Sequence, residues 1–464
     1  MRNKKMVRVG ALLVGLALVG AACGDDDDST TDEPTTTTAA AADEPTTTVA
    51  TDEPTTTAGG SGGGTEGALA GLTGTTPLVA LSDDFKAKLD AIDPNLNDTY
   101  NYAAETYDAI IIIALAAEKA KTDGIEYASE INGITRGGEK CTDFASCKAI
   151  IAAGGDPDYD GVSGPLEFAG NGEPLEASYG ILQFGDDNRI DDTKTVYKAA
   201  KALASADVPQ VPVVGTRAGD GVLKIGSILP QTGSLAFLGP PEFAGFNLAV
   251  KDINDAGGVL GKPVEGIEGD SGDATTDTAN QTVDRQLSQN VDAIIGAASS
   301  GVSLTVIDKI TAAGVVQFSP ANTSKRLSTY DDKGLYFRTA PSDILQGAVL
   351  GELIAGDGNA TVAIVARNDA YGTGLAEDTT AALEEAGVEV VETKIYDEKA
   401  ATFDAEVAAV KAAAPDAVLL ITFDEGSKIL KTMVEQGVGP TDIKVYGCDG
   451  NMGNSLGEAF DAGS

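Results

Sequence analysis

Beyond position 221, short runs rich in Val and Ile alternate with longer stretches whose apolar residues recur every three or four positions. The short runs predict strands at 222–228, 291–296, 315–318, 361–366, 388–396, 417–422 and 443–446. The longer stretches predict helices near 242–256, 275–289, 303–313, 344–355, 374–386, 403–413 and 427–436. Largely apolar strands separated by helices imply parallel sheets covered on both faces. Two such sheets suit this length better than one.

Residues 67–205 read differently, with a strand at 74–78, helices at 83–92 and 102–121, and a strand at 179–184. The second helix carries Ile110–Ile113 inside an apolar stretch, 109–117, far shorter than the roughly 20 residues of a membrane span. Burial in a core is the expectation.

The first residues follow another pattern. A cationic start and an apolar run from Val9 to Val19 lead to Gly20-Ala21-Ala22-Cys23, the layout of an export signal over 1–22. The boundary resembles a bacterial lipobox, which would make Cys23 the lipid-attachment site, although Gly20 departs from the usual Leu. A secreted protein with an incidental Cys is the alternative. Residues 23–66 are low in complexity, with Asp-Glu-Pro-Thr-Thr-Thr at 32–37, 43–48 and 52–57 and a Gly-rich end. Such a composition cannot offset chain entropy by burial, so a disordered tether is expected.

Composition removes whole classes of function. Zero His excludes the Ser-His-Asp triad, the Cys-His pair and most catalytic zinc sites. A net charge of −39, from 71 acidic and 32 basic residues, argues against nucleic-acid partners. No Gly-rich loop carries the Lys-Ser or Lys-Thr of a phosphate cradle, and no cofactor or metal is expected. Cys141 and Cys147, close together in an exported chain, predict a local disulfide. Cys448 has no evident partner and no His to activate it, so a buried inert thiol is expected.

The segment 225–263, IGSILPQTGSLAFLGPPEFAGFNLAVKDINDAGGVLGKP, resembles the N-terminal signature of type I periplasmic binding proteins of the branched-chain amino acid class. The stretches 296–301, 319–323, 369–372 and 447–450 look like that family's ligand-contacting loops, in order. The resemblance implies two doubly wound α/β lobes joined by a hinge.

The order of the pieces departs from the family. Residues 102–118 and 159–168 look like its C-terminal third, yet they precede the signature. Residues 67–205 would be the family's C-terminal portion, 206–220 a linker and 221–464 the N-terminal portion. A circular permutation is the simplest reading. A trimmed duplication with swapped halves and a mis-assembled reading frame are the rivals.

Carried over residue by residue, the family's site would use Ser300 and Thr323, with the backbone around Ala321, for a solute's α-carboxylate and part of its ammonium. Asp449 would pair with the ammonium, Tyr371 would cover the solute, and Phe237 and Phe423 would supply apolar walls. Each has a plainer alternative: Ser300 as a helix cap, Thr323 and Asp449-Gly450 as turn residues, Tyr371 as a half-buried surface aromatic. The resemblance implies a non-enzymatic receptor, lipid-anchored on the outer face of the cytoplasmic membrane, delivering a small solute, expected to be an amino acid, to an ABC transporter permease. A sensory module reporting solute to a membrane partner is the alternative. Leu238 and the absence of Cys near Asp270 set the pocket apart from a Leu/Ile/Val site.

Overall fold

A computed structural model describes residues 65–164, 166–202 and 209–461. The export signal, Cys23 and all but the last two residues of the tether lie outside them. Two sheets organise the described chain. The first lobe is built on five parallel strands in the order Tyr336–Arg338, Val316–Ser319, Ala293–Gly296, Lys224–Ile228, Glu265–Ile267. The second holds seven, in the order Glu389–Tyr396, Thr361–Arg367, Ala417–Ile421, Lys444–Gly447, Thr73–Pro77, Glu176–Gln183, Val196–Lys201.

The apolar runs form strands because they are buried on both faces. Ile364, Leu419 and Ile421 enter one core while Ala363, Val365, Val418 and Leu420 enter the other, the two-residue alternation of a pleated strand. The strands from beyond 221 pair in parallel as expected, and the second lobe adds antiparallel pairing from the earlier segment. Glu176–Gln183 runs antiparallel to both Thr73–Pro77 and Val196–Lys201. The last of these was missed, because its mostly exposed VYKAAK pattern carries no apolar run.

Residues from before position 205 serve both lobes. Three of their strands complete the seven-stranded sheet, and Thr73–Pro77 pairs in parallel with Lys444–Gly447. The helix Ala103–Ala120 packs instead on the first lobe, with every residue from Ala103 to Ala117 buried. The unbroken apolar stretch from Ala109 to Ala117 covers every face of the helix there, as in a core, and no helix among the described residues is long and apolar enough to cross a membrane.

The described part of the linker is docked. Val211 and Val214 N–H donate to Gly170 and Lys333 carbonyls at 3.1 and 2.9 Å, and Arg217 pairs with buried Asp292 at 2.5 Å. The Asp123 carboxylate accepts from the backbone N–H groups of Asp220, Gly221 and Val222. Cys141 and Cys147 form the expected disulfide, which closes a loop on the first lobe.

Candidate functional site

The site forms where strands of both lobes end, the position at which open α/β sheets usually bind small molecules. Helix Ser300–Ala312 follows the strand Ala293–Gly296 and is capped by Ser299, whose Oγ accepts from Val302 N–H. The capping alternative for Ser300 therefore falls to its neighbour. Ser300 is the first helical residue, ahead of the expected start at 303, and its Oγ accepts from Ser324 N–H at 3.3 Å.

A network fixes this wall. Ser319 Oγ donates to Ala297 O at 2.7 Å and accepts from Asn322 N–H at 2.9 Å. Asn322 Nδ2 donates to Ala298 O at 2.8 Å. Buried Arg338 donates to the carbonyls of Asn322 and Ser324 at 3.2 and 3.0 Å and pairs with Glu173. Burial pushes Glu173 up, but Arg338 together with hydrogen bonds from Asn171 and Ser328 outweighs it and holds the carboxyl below its usual range.

The second lobe supplies the opposite wall. Tyr371 stacks on Phe423 with centroids 5.3 Å apart, and the Arg367 guanidinium lies over Phe423 at 3.6 Å. Tyr371 Oη donates to Asp449 at 2.7 Å and accepts from Gly450 N–H at 3.1 Å. The Asn451 side chain accepts from Cys448 N–H and donates to Leu420 O, both at 2.9 Å, which orients the turn bearing Asp449. Cys448 is buried and free, with burial first and Asp449 second raising its thiol.

A third contribution comes from residues before position 205. Tyr102 precedes Ala103–Ala120 with φ at 58°, a left-handed conformation uncommon for a bulky residue. It donates to Asp449 at 2.9 Å. Burial raises Asp449 above the usual carboxylate range, and hydrogen bonds led by Tyr371 and Tyr102 offset part of that rise.

The lining comprises Ser300, Ala321, Thr323, Tyr371, Phe423 and Asp449, joined by Tyr102, Leu235, Leu238, Ala298 and Gly450. Six of the seven residues carried over from the family resemblance thus meet around one space. Phe237 does not line it; it stands beside Gly453. Ala236–Leu238 is a 3₁₀ turn, in which positions three apart eclipse, so Leu235 and Leu238 share the inward side. Tyr102 was also not anticipated, and its place at a predicted helix start gave no sign of a partner so far along the chain. The remaining space is about 10 Å³, near the least that holds one water. Little space therefore remains between the two walls, and the phenols of Tyr102 and Tyr371 both donate to Asp449. Among the described residues no group of three Cys, Asp or Glu is placed to hold a metal.

Residues 222–462 match the family model described as periplasmic binding protein. A "Leu/Ile/Val-binding protein homolog 7" from Brucella abortus is 28% identical over 52% of this chain and 61% of the relative. A "leucine-, isoleucine-, valine-, threonine-, and alanine-binding protein" from Pseudomonas aeruginosa is 30% identical over 36% of this chain and 45% of its own length. The solved leucine-binding protein of Thermotoga maritima is 24% identical over 52% of this chain and 67% of that one, with a TM-score of 0.46. The chain spans 61% of the Brucella relative's length. With more than half of its residues matched, the chain belongs to the periplasmic binding protein family, and the relatives it resembles include Leu/Ile/Val-binding protein homologues.

Proposed function

We propose that this chain is an extracytoplasmic solute-binding protein of an ABC importer, capturing an amino acid or related small polar solute as its lobes close. The observation that carries this reading is the convergence of Ser300, Ala321 and Thr323 from one lobe with Tyr371, Phe423 and Asp449 from the other on one enclosed space. Ser300 begins a helix, and free N–H groups there favour a carboxylate. Asp449 supplies the complementary anion for an ammonium, a bond strengthened by exclusion of water. Tyr371 covers the solute on closure. The relatives' names support an amino-acid solute. Delivery to a permease and anchoring through Cys23 belong to the same proposal.

The permuted order is part of this reading. Thr65 N–H donates to Phe460 O at 3.0 Å, so the junction of the ordinary family order is bridged in space. The three strands from before position 205 complete the second lobe's sheet within one chain.

Thermal melting of the purified full chain against common amino acids, small amides and carboxylates tests the function, with size-exclusion mass in parallel. Binding raises the melting temperature by mass action. A rise with one amino-acid class, lost in Asp449→Ala, is the expected result. A cooperative melt unmoved by every amino acid overturns the assignment.

A further inference from the structure

Asp343 opens the helix Asp343–Gly356 and is fully buried, yet neither carboxylate oxygen has a hydrogen-bond partner. Its backbone N–H donates to the carbonyl of Thr323, a lining residue, at 2.7 Å. The Thr323 side chain comes near enough to favour the charged form, although the pair misses hydrogen-bond geometry. Asp343 is also within electrostatic reach of Asp449 and Tyr371. A Cβ added at Gly374 would lie 3.9 Å from Oδ2, in ordinary van der Waals contact, so Asp343 is packed from that side without gaining a hydrogen-bond donor.

Other acceptors nearby are equally uncommitted. Tyr179, which feels both Asp343 and Asp449, has an unpartnered hydroxyl. Gln346, one turn along the same helix, keeps a free Oε1 while its amide nitrogen bonds Thr75. No Lys or Arg lines the space. Arg338, whose field reaches Asp343, is bound to Glu173 and to the Asn322 and Ser324 carbonyls.

Asp449 therefore lines a site with no cation of its own, and a second buried carboxylate, unpartnered Asp343, stands directly behind the lining residue Thr323 with idle acceptors around it. Burying an unanswered charge is costly, and a partner that brings positive charge removes that cost. A simple zwitterion brings one cationic group, for Asp449, and leaves Asp343 without a partner. We propose that the solute carries net positive charge, with one cationic group at Asp449 and a second ammonium or guanidinium reaching Asp343 in the opened cleft. This rests on the solute-binding reading above.

Calorimetric titration of the full chain with ornithine, arginine, putrescine, norvaline, leucine and a hydroxybenzoate is the test. Ornithine and norvaline differ only by the terminal ammonium. Ornithine or arginine is expected to bind roughly tenfold or more tighter than norvaline, the range of a hydrogen-bonded charge. Asp343→Asn should erase that preference. Norvaline or leucine binding as tightly as ornithine and arginine overturns the proposal while leaving solute binding intact, and so does an undiminished preference in Asp343→Asn. The wild-type comparison decides the matter if that variant fails to fold. No binding by any of the six to a cooperatively melting chain removes the amino-acid reading, and this proposal with it.

Discussion

Tyr102 and Asp449 are separated by 347 positions in the chain and by 2.9 Å in space. Tyr102 leads into a helix seated on the first lobe, whereas Asp449 follows a strand of the second. Their bond therefore crosses the cleft. Tyr371 donates to the other carboxylate oxygen from Asp449's own lobe, so a cation bound there as proposed would have to displace or join two phenols.

Tyr102→Phe removes one of those donors from a buried carboxylate. Stability should fall by about 1–3 kcal/mol, the cost of leaving a buried acceptor short of a partner. Urea denaturation measures it. Adding Asp449→Asn should recover part of the loss, because a neutral amide needs less compensation. A midpoint unchanged by Tyr102→Phe would mean that the cross-cleft bond contributes nothing to the closed state.

Gly450 sits where no side chain fits. An added Cβ would lie 2.6 Å from Thr422 O, 2.8 Å from Phe423 Cδ1 and 2.9 Å from Tyr371 Oη. Gly450→Ala must push the Tyr371–Phe423 wall away from Asp449. Destabilisation of about 1–3 kcal/mol is expected from such overpacking, accompanied by weaker solute binding. Unchanged melting and unchanged binding would show that the turn yields without disturbing the wall.

Much of this arrangement was legible along the chain, and the remainder has a common cause. The helix predicted at 83–92 is observed at Asp83–Ile92, and the strand predicted at 361–366 at Thr361–Arg367, because local apolar periodicity determines both. The six residues that meet around the enclosed space were legible through their likeness to the family's loops. Leu235 and Leu238 were hidden because the choice between them and Phe237 depends on a 3₁₀ turn rather than on residue type. Tyr102, Asp343 and the docked linker were hidden because their partners are distant in sequence. No local pattern states that Arg217 will meet Asp292.

That linker contact yields its own prediction. The Asp292 side chain is 2% exposed, and burial raises its pKa to about 6 even though Lys224 N–H and Arg217 hold it down. Arg217→Ala leaves this carboxylate buried without its cation, which typically costs about 3–5 kcal/mol. Adding Asp292→Asn should return much of that. Denaturant midpoints give the energies, and limited proteolysis should show faster cleavage within 206–220 for Arg217→Ala alone. Equal cleavage of variant and parent would mean that the other contacts hold the linker.

Buried carboxylates also set the direction of the pH dependence. Glu105 lies in a helix packed so tightly on Gly239–Asp255 that a Cβ at Gly245 would meet Ala103 O at 2.2 Å. Burial first, with Asp108 adding to it, raises Glu105 from an ordinary 4.5 to about 8. Glu242 across the interface is raised as well, by burial and then by Glu105. A carboxyl with a raised folded pKa binds its proton more tightly when folded, so its stabilising effect is complete below about 4.5 and is lost as pH rises through about 8. Asp343 and Asp449 act in the same direction. Melting temperature should therefore decline across that window, each such group contributing at most about 1.4 kcal/mol per pH unit. Glu105→Gln keeps the shape, cannot ionise and should flatten the decline. A melting temperature that rises or holds level between those two pH values would show that water or rearrangement relieves these carboxylates.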